Sequence, residues 1–254
     1  MTERVAIRRE EEGIALLLLQ DTQGGNAFDE RFIADLLACL ETLARDPDVR
    51  VCIVRGLPDV FCAGASQALL LALAEGRASP SDIVLSKMLL DLPFPTIAAM
   101  EGHALGGGLA LGLCCDVLLL ARESRYGCSF MNLGFTPGMG ITRLLQLAVG
   151  EYVAAEMLYG GQFFKGSHFA ARGAVNYVLP RADVFPQALA VARRFADKPR
   201  LSLELLKRYL SLPRRMAFEE TRTVEAAMHR LSFQQAETAR RIREEYAPPA
   251  GSGK

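Results

Sequence analysis

Thr96-Ile97-Ala98-Ala99-Met100-Glu101-Gly102-His103-Ala104-Leu105-Gly106-Gly107-Gly108 runs from an apolar strand into a helix that begins near Leu105. Three consecutive glycines at such a junction remove every Cβ, so the backbone can come close to a ligand. Amides in the first turn of a helix have no acceptor of their own, and the dipole there favours negative charge. The segment therefore suits an anion or a developing oxyanion, or else only a tight packing of strand on helix. A second small-residue cluster, Phe61-Cys62-Ala63-Gly64-Ala65-Ser66, follows another strand-like run, Val49–Val54.

The flanks of these clusters fix the fold class. Ile14–Leu19 is a short apolar run that predicts a buried strand, and Cys115–Ala121 predicts another. Between them Phe32, Ile33, Leu36, Leu37, Leu40 and Leu43 recur at helical spacing, with Asp29 placed to cap that helix and Asp46-Pro47 to stop it. Strands alternating with helices predict parallel pairing through crossovers, hence an α/β fold. After about Pro180 the pattern is helical alone, and Pro248–Lys254 reads as a flexible tail.

Charge and composition narrow the function classes. Lys+Arg and Asp+Glu balance at 29 each, which argues against a nucleic-acid binder, since displacing counterions from phosphates needs a basic surface. Arg181–Arg215 is locally basic, either as a solvated helix face or as a landing patch for a phosphorylated or acidic partner. No apolar run is long enough to span a bilayer, and the opening Met-Thr-Glu-Arg does not read as a signal peptide. The six cysteines form no CxxC pair and no metal-ligand spacing with histidine. The expectation is a soluble cytoplasmic protein with reduced thiols, no metal and no membrane contact.

Taken in order, several segments resemble the crotonase (enoyl-CoA hydratase/isomerase) superfamily. They are Asn26-Ala27-Phe28, Asp46-Pro47-Asp48-Val49-Arg50, Phe61–Ala65, Ala104–Gly108, Pro137-Gly138, and Gly173-Ala174-Val175-Asn176 before Pro180. The resemblance implies a spiral of ββα units over residues 1–195. It also implies a C-terminal helical region over 196–254 that caps the active site and assembles the protein as trimers or paired trimers. The backbone amides of Ala65 and Gly107 would form an oxyanion hole for a thioester carbonyl, with Gly106 beside it. Ala63 would lie along the bound pantetheine or nucleotide. Donors fixed before the reaction need no reorganisation as the carbonyl becomes an enolate, and losing one costs about 3–4 kcal/mol.

One departure from that family pattern redirects the chemistry. Hydratases of the family carry two glutamates, and the corresponding positions here are Ala110 and Phe130. Neither can move a proton, so water activation by paired carboxylates is not expected. Phe130, Met131 and Phe135 predict an apolar pocket, in which a carboxylate loses its hydration while fixed amides hold the product dienolate. Met100-Glu101-Gly102-His103, Arg122-Glu123-Ser124, Gly134–Gly140, Val178–Arg181, Lys198-Pro199-Arg200 and Met228-His229 resemble one subgroup, the decarboxylases of polyketide β-branching. That resemblance implies conversion of a 3-methylglutaconyl-carrier protein to a methylcrotonyl-carrier protein. The substrate would ride on the phosphopantetheine of an acidic acyl carrier protein, with no other cofactor, and Arg181–Arg215 would suit that partner.

The resemblance makes His229 the proton donor, a residue type whose pKa lies near neutrality. His103 reads as a packing residue, and His168 as an exposed loop residue. A lysine is also implied after the Phe-x-Ala-Gly segment, and Lys87 is the only one between Gly64 and Asp91. Set among apolar residues, it either snorkels to solvent or meets the substrate carboxylate. Arg77, on the Gly76–Pro80 stretch, is a second candidate for the carboxylate. Two other readings remain open at this stage: an enoyl-CoA isomerase with a single proton shuttle, and a non-catalytic acyl-thioester binder.

Overall fold

The computed structural model describes residues 3–78 and 82–247. The expected tail at 248–254 and residues 79–80 of the Gly76–Pro80 stretch lie outside that set.

The chain opens with β1 (Val5–Glu11), β2 (Ile14–Leu19), the short β3 (Ala27–Phe28) and helix α1 (Glu30–Arg45). A second unit holds β4 (Val51–Arg55), β5 (Val60–Cys62), β6 (Gly64–Ala65), α2 (Gln67–Ala74) and α3 (Asp82–Leu90). The third is β7 (Thr96–Met100), β8 (His103–Leu105) and α4 (Gly107–Leu113). The fourth is β9 (Val117–Ala121), β10 (Arg125–Gly127), α5 (Ile141–Val149) and α6 (Glu151–Gly160). β11 (Phe163–Lys165), α7 (Gly166–Ala170), β12 (Tyr177–Leu179) and α8 (Arg181–Ala196) follow, then α9 (Arg200–Leu210), α10 (Leu212–Phe233) and α11 (Ala236–Glu245).

Two sheets grow in step. The larger has the order β1-β2-β4-β7-β9-β12, parallel at every pairing beyond the first hairpin. In the smaller, β5, β8 and β10 pair in parallel, and β11 closes the edge antiparallel. The pairs β4/β5, β7/β8 and β9/β10 each give one strand to either sheet, so the chain winds as the expected spiral of ββα units.

Burial explains why the strands read as unbroken apolar runs. Cys52, Val54, Ala98 and Met100 face a core filled by Phe32, Leu36 and Leu40 of α1, Leu85 and Leu89 of α3 and Leu144 of α5. Their neighbours Val51, Ile53, Ile97 and Ala99 face the other way, onto Val184, Ala188, Val191 and Ala192 of α8. A sheet covered on both faces needs no polar alternation. α1 begins where the sequence predicts, with the Asp29 carboxylate accepting from Phe32 N at 2.8 Å.

Other expectations are shifted. The helix after the glycine triplet starts at Gly107, because Leu105 still belongs to β8. His168 lies within α7, half-buried against Phe164, with Nδ1 3.1 Å from an Arg172 nitrogen. The basic stretch is largely neutralised within the molecule. Arg193 pairs with Glu11, Arg200 with Glu204, Arg181 with Asp59, and both Lys207 and Arg214 with Asp116. As a free landing patch for an acidic partner it is therefore poorly suited.

Beyond α8, α10 sends Phe218 into the main core and buries Thr221, Glu225, His229 and Phe233 along one face. α11 then returns to pack on α2. The last two helices are thus brought against the segment that follows the first small-residue cluster.

Candidate active site

Asn26 starts the construction. Fully buried and left-handed (φ 58°), it donates from Nδ2 to Leu19 O (3.0 Å) and Phe61 O (2.9 Å), and its Oδ1 accepts from Asp21 N (2.8 Å). This ties the turn before β3 to β5 and leads β3 into parallel register with β6, Phe28 opposite Ala65. Ser66 N donates to Phe28 O at 3.0 Å, which fixes the chain just past Ala65.

Two glycines bring the amides together. Gly64 is left-handed (φ 79°), and a methyl group on it would stand 2.6 Å from Leu105 O and 3.2 Å from Gly107 N. Only a residue without Cβ lets the two segments touch there. Gly106 (φ 53°, ψ −119°) turns β8 into α4, and its N–H is taken by Gly127 O at 2.8 Å. Gly107 is then the first residue of α4, where an amide has no acceptor within its own helix. Ala65 and Gly107 both line a cavity of about 630 Å³.

The walls are mainly apolar. Phe130 lies 5.8 Å from Phe135, edge to face, and Phe135 stacks on Phe233 at 4.6 Å. His229 meets the same two rings, Phe135 at 6.0 Å and Phe233 at 5.3 Å. Buried on α10, it packs so closely on Gly138 that a methyl group there would lie 2.5 Å from His229 Cε1. One turn earlier on the same face of α10, Glu225 accepts from Gly140 N (2.6 Å), Thr142 N (3.1 Å) and the Thr142 hydroxyl. That carboxylate fastens the turn around Gly138 to the helix that carries His229.

Ala63, Ala65, Gly106, Gly107, Phe130 and His229 therefore border one cavity. Ala110, on the buried face of α4, lies instead in the core. Lys87 and Arg77 do not join the cavity, which corrects their expected role. α3 turns Leu85 and Leu89 inward, so Lys87 emerges on the outside, half-exposed, with Nζ 2.8 Å from Asp91 and 3.6 Å from Glu219. The hydrogen bond to Asp91 is the main cause that raises its pKa, so the ammonium is held charged. Arg77 is exposed and paired with Glu75.

His103 borders the cavity, and its Nδ1 accepts from Arg125 N at 2.9 Å. That contact assigns the ring proton to Nε2. Burial, reinforced by Arg181 and Arg125, pushes its pKa below the usual value. Tyr246, just past α11, was not legible in the sequence as a site residue. It lines the cavity, and its hydroxyl donates to Ala65 O at 3.1 Å. The only sequence signal for it is the helical pattern of Ala236–Glu245 ending on an aromatic. Cys62, beside the site, is held as a thiol, since burial pushes its pKa up to about 12.

The enoyl-CoA hydratase/isomerase family profile matches residues 9–247. The chain belongs to that family. It is 36% identical over 233 residues to the bacillaene synthase decarboxylase PksI of Bacillus subtilis, covering 92% of this chain and 94% of that one. The structure described as a dehydratase/decarboxylase enzyme couple involved in polyketide β-branching superposes with a TM-score of 0.93, at 35% identity over 96% of this chain and 99% of the other. The ECH2 decarboxylase domain of CurF from Lyngbya majuscula follows at a TM-score of 0.91 and 34% identity, over 96% and 100%.

Proposed function

We propose that the protein decarboxylates a 3-methylglutaconyl thioester, carried on the phosphopantetheine of an acyl carrier protein, to the methylcrotonyl thioester during polyketide β-branching. The observation that carries this reading is the cavity itself. Ala65 and Gly107, whose amides are the candidate oxyanion donors, share that cavity with Phe130 and Phe135, and Phe130 stands at a position where the resemblance places a hydratase carboxylate. The similarity to PksI and to the CurF domain supports the same reaction class.

The thioester oxygen accepts from Ala65 N and Gly107 N. The substrate carboxylate, stripped of water by the apolar walls, leaves as CO₂, and the electron pair of the broken C–C bond passes through the conjugated chain to that oxygen. Fixed donors stabilise this charge as it develops on that oxygen, partly in the transition state and fully in the dienolate. His229 then gives a proton to carbon. The electrons remain within substrate and product, so the step calls for no resident metal or redox cofactor.

The reading includes self-association. Leu201, Leu205, Leu206, Tyr209 and Leu210 stand exposed on α9, with Met216 on α10. An apolar stripe of that size on a helix pair suits a second and third copy of the chain. Among the described residues no helix is long and apolar enough to cross a membrane.

Mass spectrometry of 3-methylglutaconyl-carrier protein, with wild type beside His229→Ala, tests the proposal. Loss of CO₂ by wild type alone supports it. Double-bond migration without CO₂ loss would replace it by an isomerase, and binding without any reaction would leave only a thioester binder.

A further inference from the structure

With Lys87 and Arg77 outside the cavity, a question follows for the proposed substrate: what recognises the carboxylate that is to leave? Tyr246 packs on the cluster of Leu70, Leu133, Phe135 and Phe233, the same apolar wall that holds His229. Its hydroxyl is the polar tip of that wall, and it reaches Ala65 O at 3.1 Å. The approach is fixed from outside the cavity. Gln67 Nε2 donates to Ile242 O at 2.8 Å, and Arg243 pairs with Glu75 at 3.1 Å, so α11 is fastened to α2 just before Tyr246. Burial raises the phenol's pKa, which keeps it protonated and a donor at neutral pH. Asn132, another polar group at the cavity, has its Nδ2 engaged with Gly161 O at 2.9 Å.

We propose that Tyr246 is the specificity-determining residue for the substrate's second carboxylate, its hydroxyl exchanging Ala65 O for a carboxylate oxygen when a dicarboxylic acyl thioester binds. This rests on the decarboxylase reading. A neutral hydroxyl suits the chemistry better than a cation does. An ammonium would hold the carboxylate tightly in the ground state and lose that attraction as CO₂ forms, which raises the barrier. A single hydroxyl selects the carboxylate with a smaller loss. As the C–C bond breaks, its electron pair moves to the thioester oxygen, CO₂ leaves the hydroxyl, and Tyr246 keeps its own proton throughout.

The test compares two pantetheine thioesters that cannot undergo the conjugated decarboxylation, 3-methylglutaryl and isovaleryl, which differ only in the terminal carboxylate. Binding to wild type and Tyr246→Phe is measured by calorimetry, and turnover on 3-methylglutaconyl-carrier protein alongside. The variant keeps the ring and its packing. Its affinity for the 3-methylglutaryl thioester should fall about 10- to 100-fold, the size of one hydrogen bond to a charged group, with isovaleryl binding unchanged. KM should rise by a similar factor while kcat does not fall. Equal losses for both thioesters, or a fall in kcat alone, would mean that Tyr246 only braces Ala65, and the proposal is overturned. No change in either, or loss of the carboxylate preference in Arg125→Ala instead, also overturns it. Absence of CO₂ release by wild type sinks the decarboxylase reading by itself, and the binding comparison still judges Tyr246.

Discussion

At the scale of single residues, Gly138 and His229 are one device. Gly138→Ala would put a methyl group into the imidazole, displacing the proposed donor by a fraction of its own width. A misplacement of this size lowers kcat by about 100-fold, with the melting transition retained; steady-state decarboxylation and circular dichroism together check it. His229→Ala, which removes the donor outright, should cost about 10²- to 10⁴-fold. Lys87→Ala gives the opposite expectation. Its ion pair is half-exposed and outside the cavity, so activity should stay within about twofold and stability within about 1 kcal/mol. Ala63, Ala65, Gly106 and Gly107 were legible in sequence because the close approach of two backbones demands small residues in contiguous runs. Lys87 was not, because apolar residues surround it at nearly every position of α3 and no periodicity says which face turns inward. Tyr246 was illegible for a related reason, since its place depends on where α11 docks.

At the scale of elements, the helix α10 and the turn before α5 are joined through one carboxylate. Glu225→Ala would strand donors at Gly140 N and Thr142 N in the interior, at about 1–3 kcal/mol for each unsatisfied group. Urea unfolding should therefore show a loss of about 3 kcal/mol or more, with Glu225→Gln intermediate. The strand pair β8–β10 carries a pH signature. His103 accepts from Arg125 N in its neutral form and has a folded pKa below its unfolded value of about 6.5. The unfolded chain thus binds the proton more readily. The stability this provides is complete above about pH 6.5 and is lost as pH falls toward the folded pKa. His103→Gln should flatten the decline in unfolding free energy between about pH 7 and 5. Long elements such as α1, β4 and β7 were readable from periodicity and caps. β10 and β11, of three residues each, are too short to display a period and are strands only because β8 offers them an edge.

At the scale of the whole molecule, the exposed leucines of α9 predict an oligomer. Leu205→Glu with Leu206→Glu should convert the assembly to monomers in sedimentation velocity without changing the far-ultraviolet spectrum. A wild-type protein already monomeric would refute that surface. The family fold was legible because its signals are spread along the chain in a fixed order, whereas the last two helices had no motif except His229.

Tyr246 and Ala247 border the cavity, so Ala247 stands at the rim of the site. A carrier domain fused there through a flexible linker would hold its arm near the entrance at an effective concentration in the millimolar range. Turnover of such a fusion would then no longer depend on how much carrier is added, whereas the same domain joined at the amino terminus would gain only what its linker happened to span. The end of α11 is, in this sense, a tethering point as much as a wall.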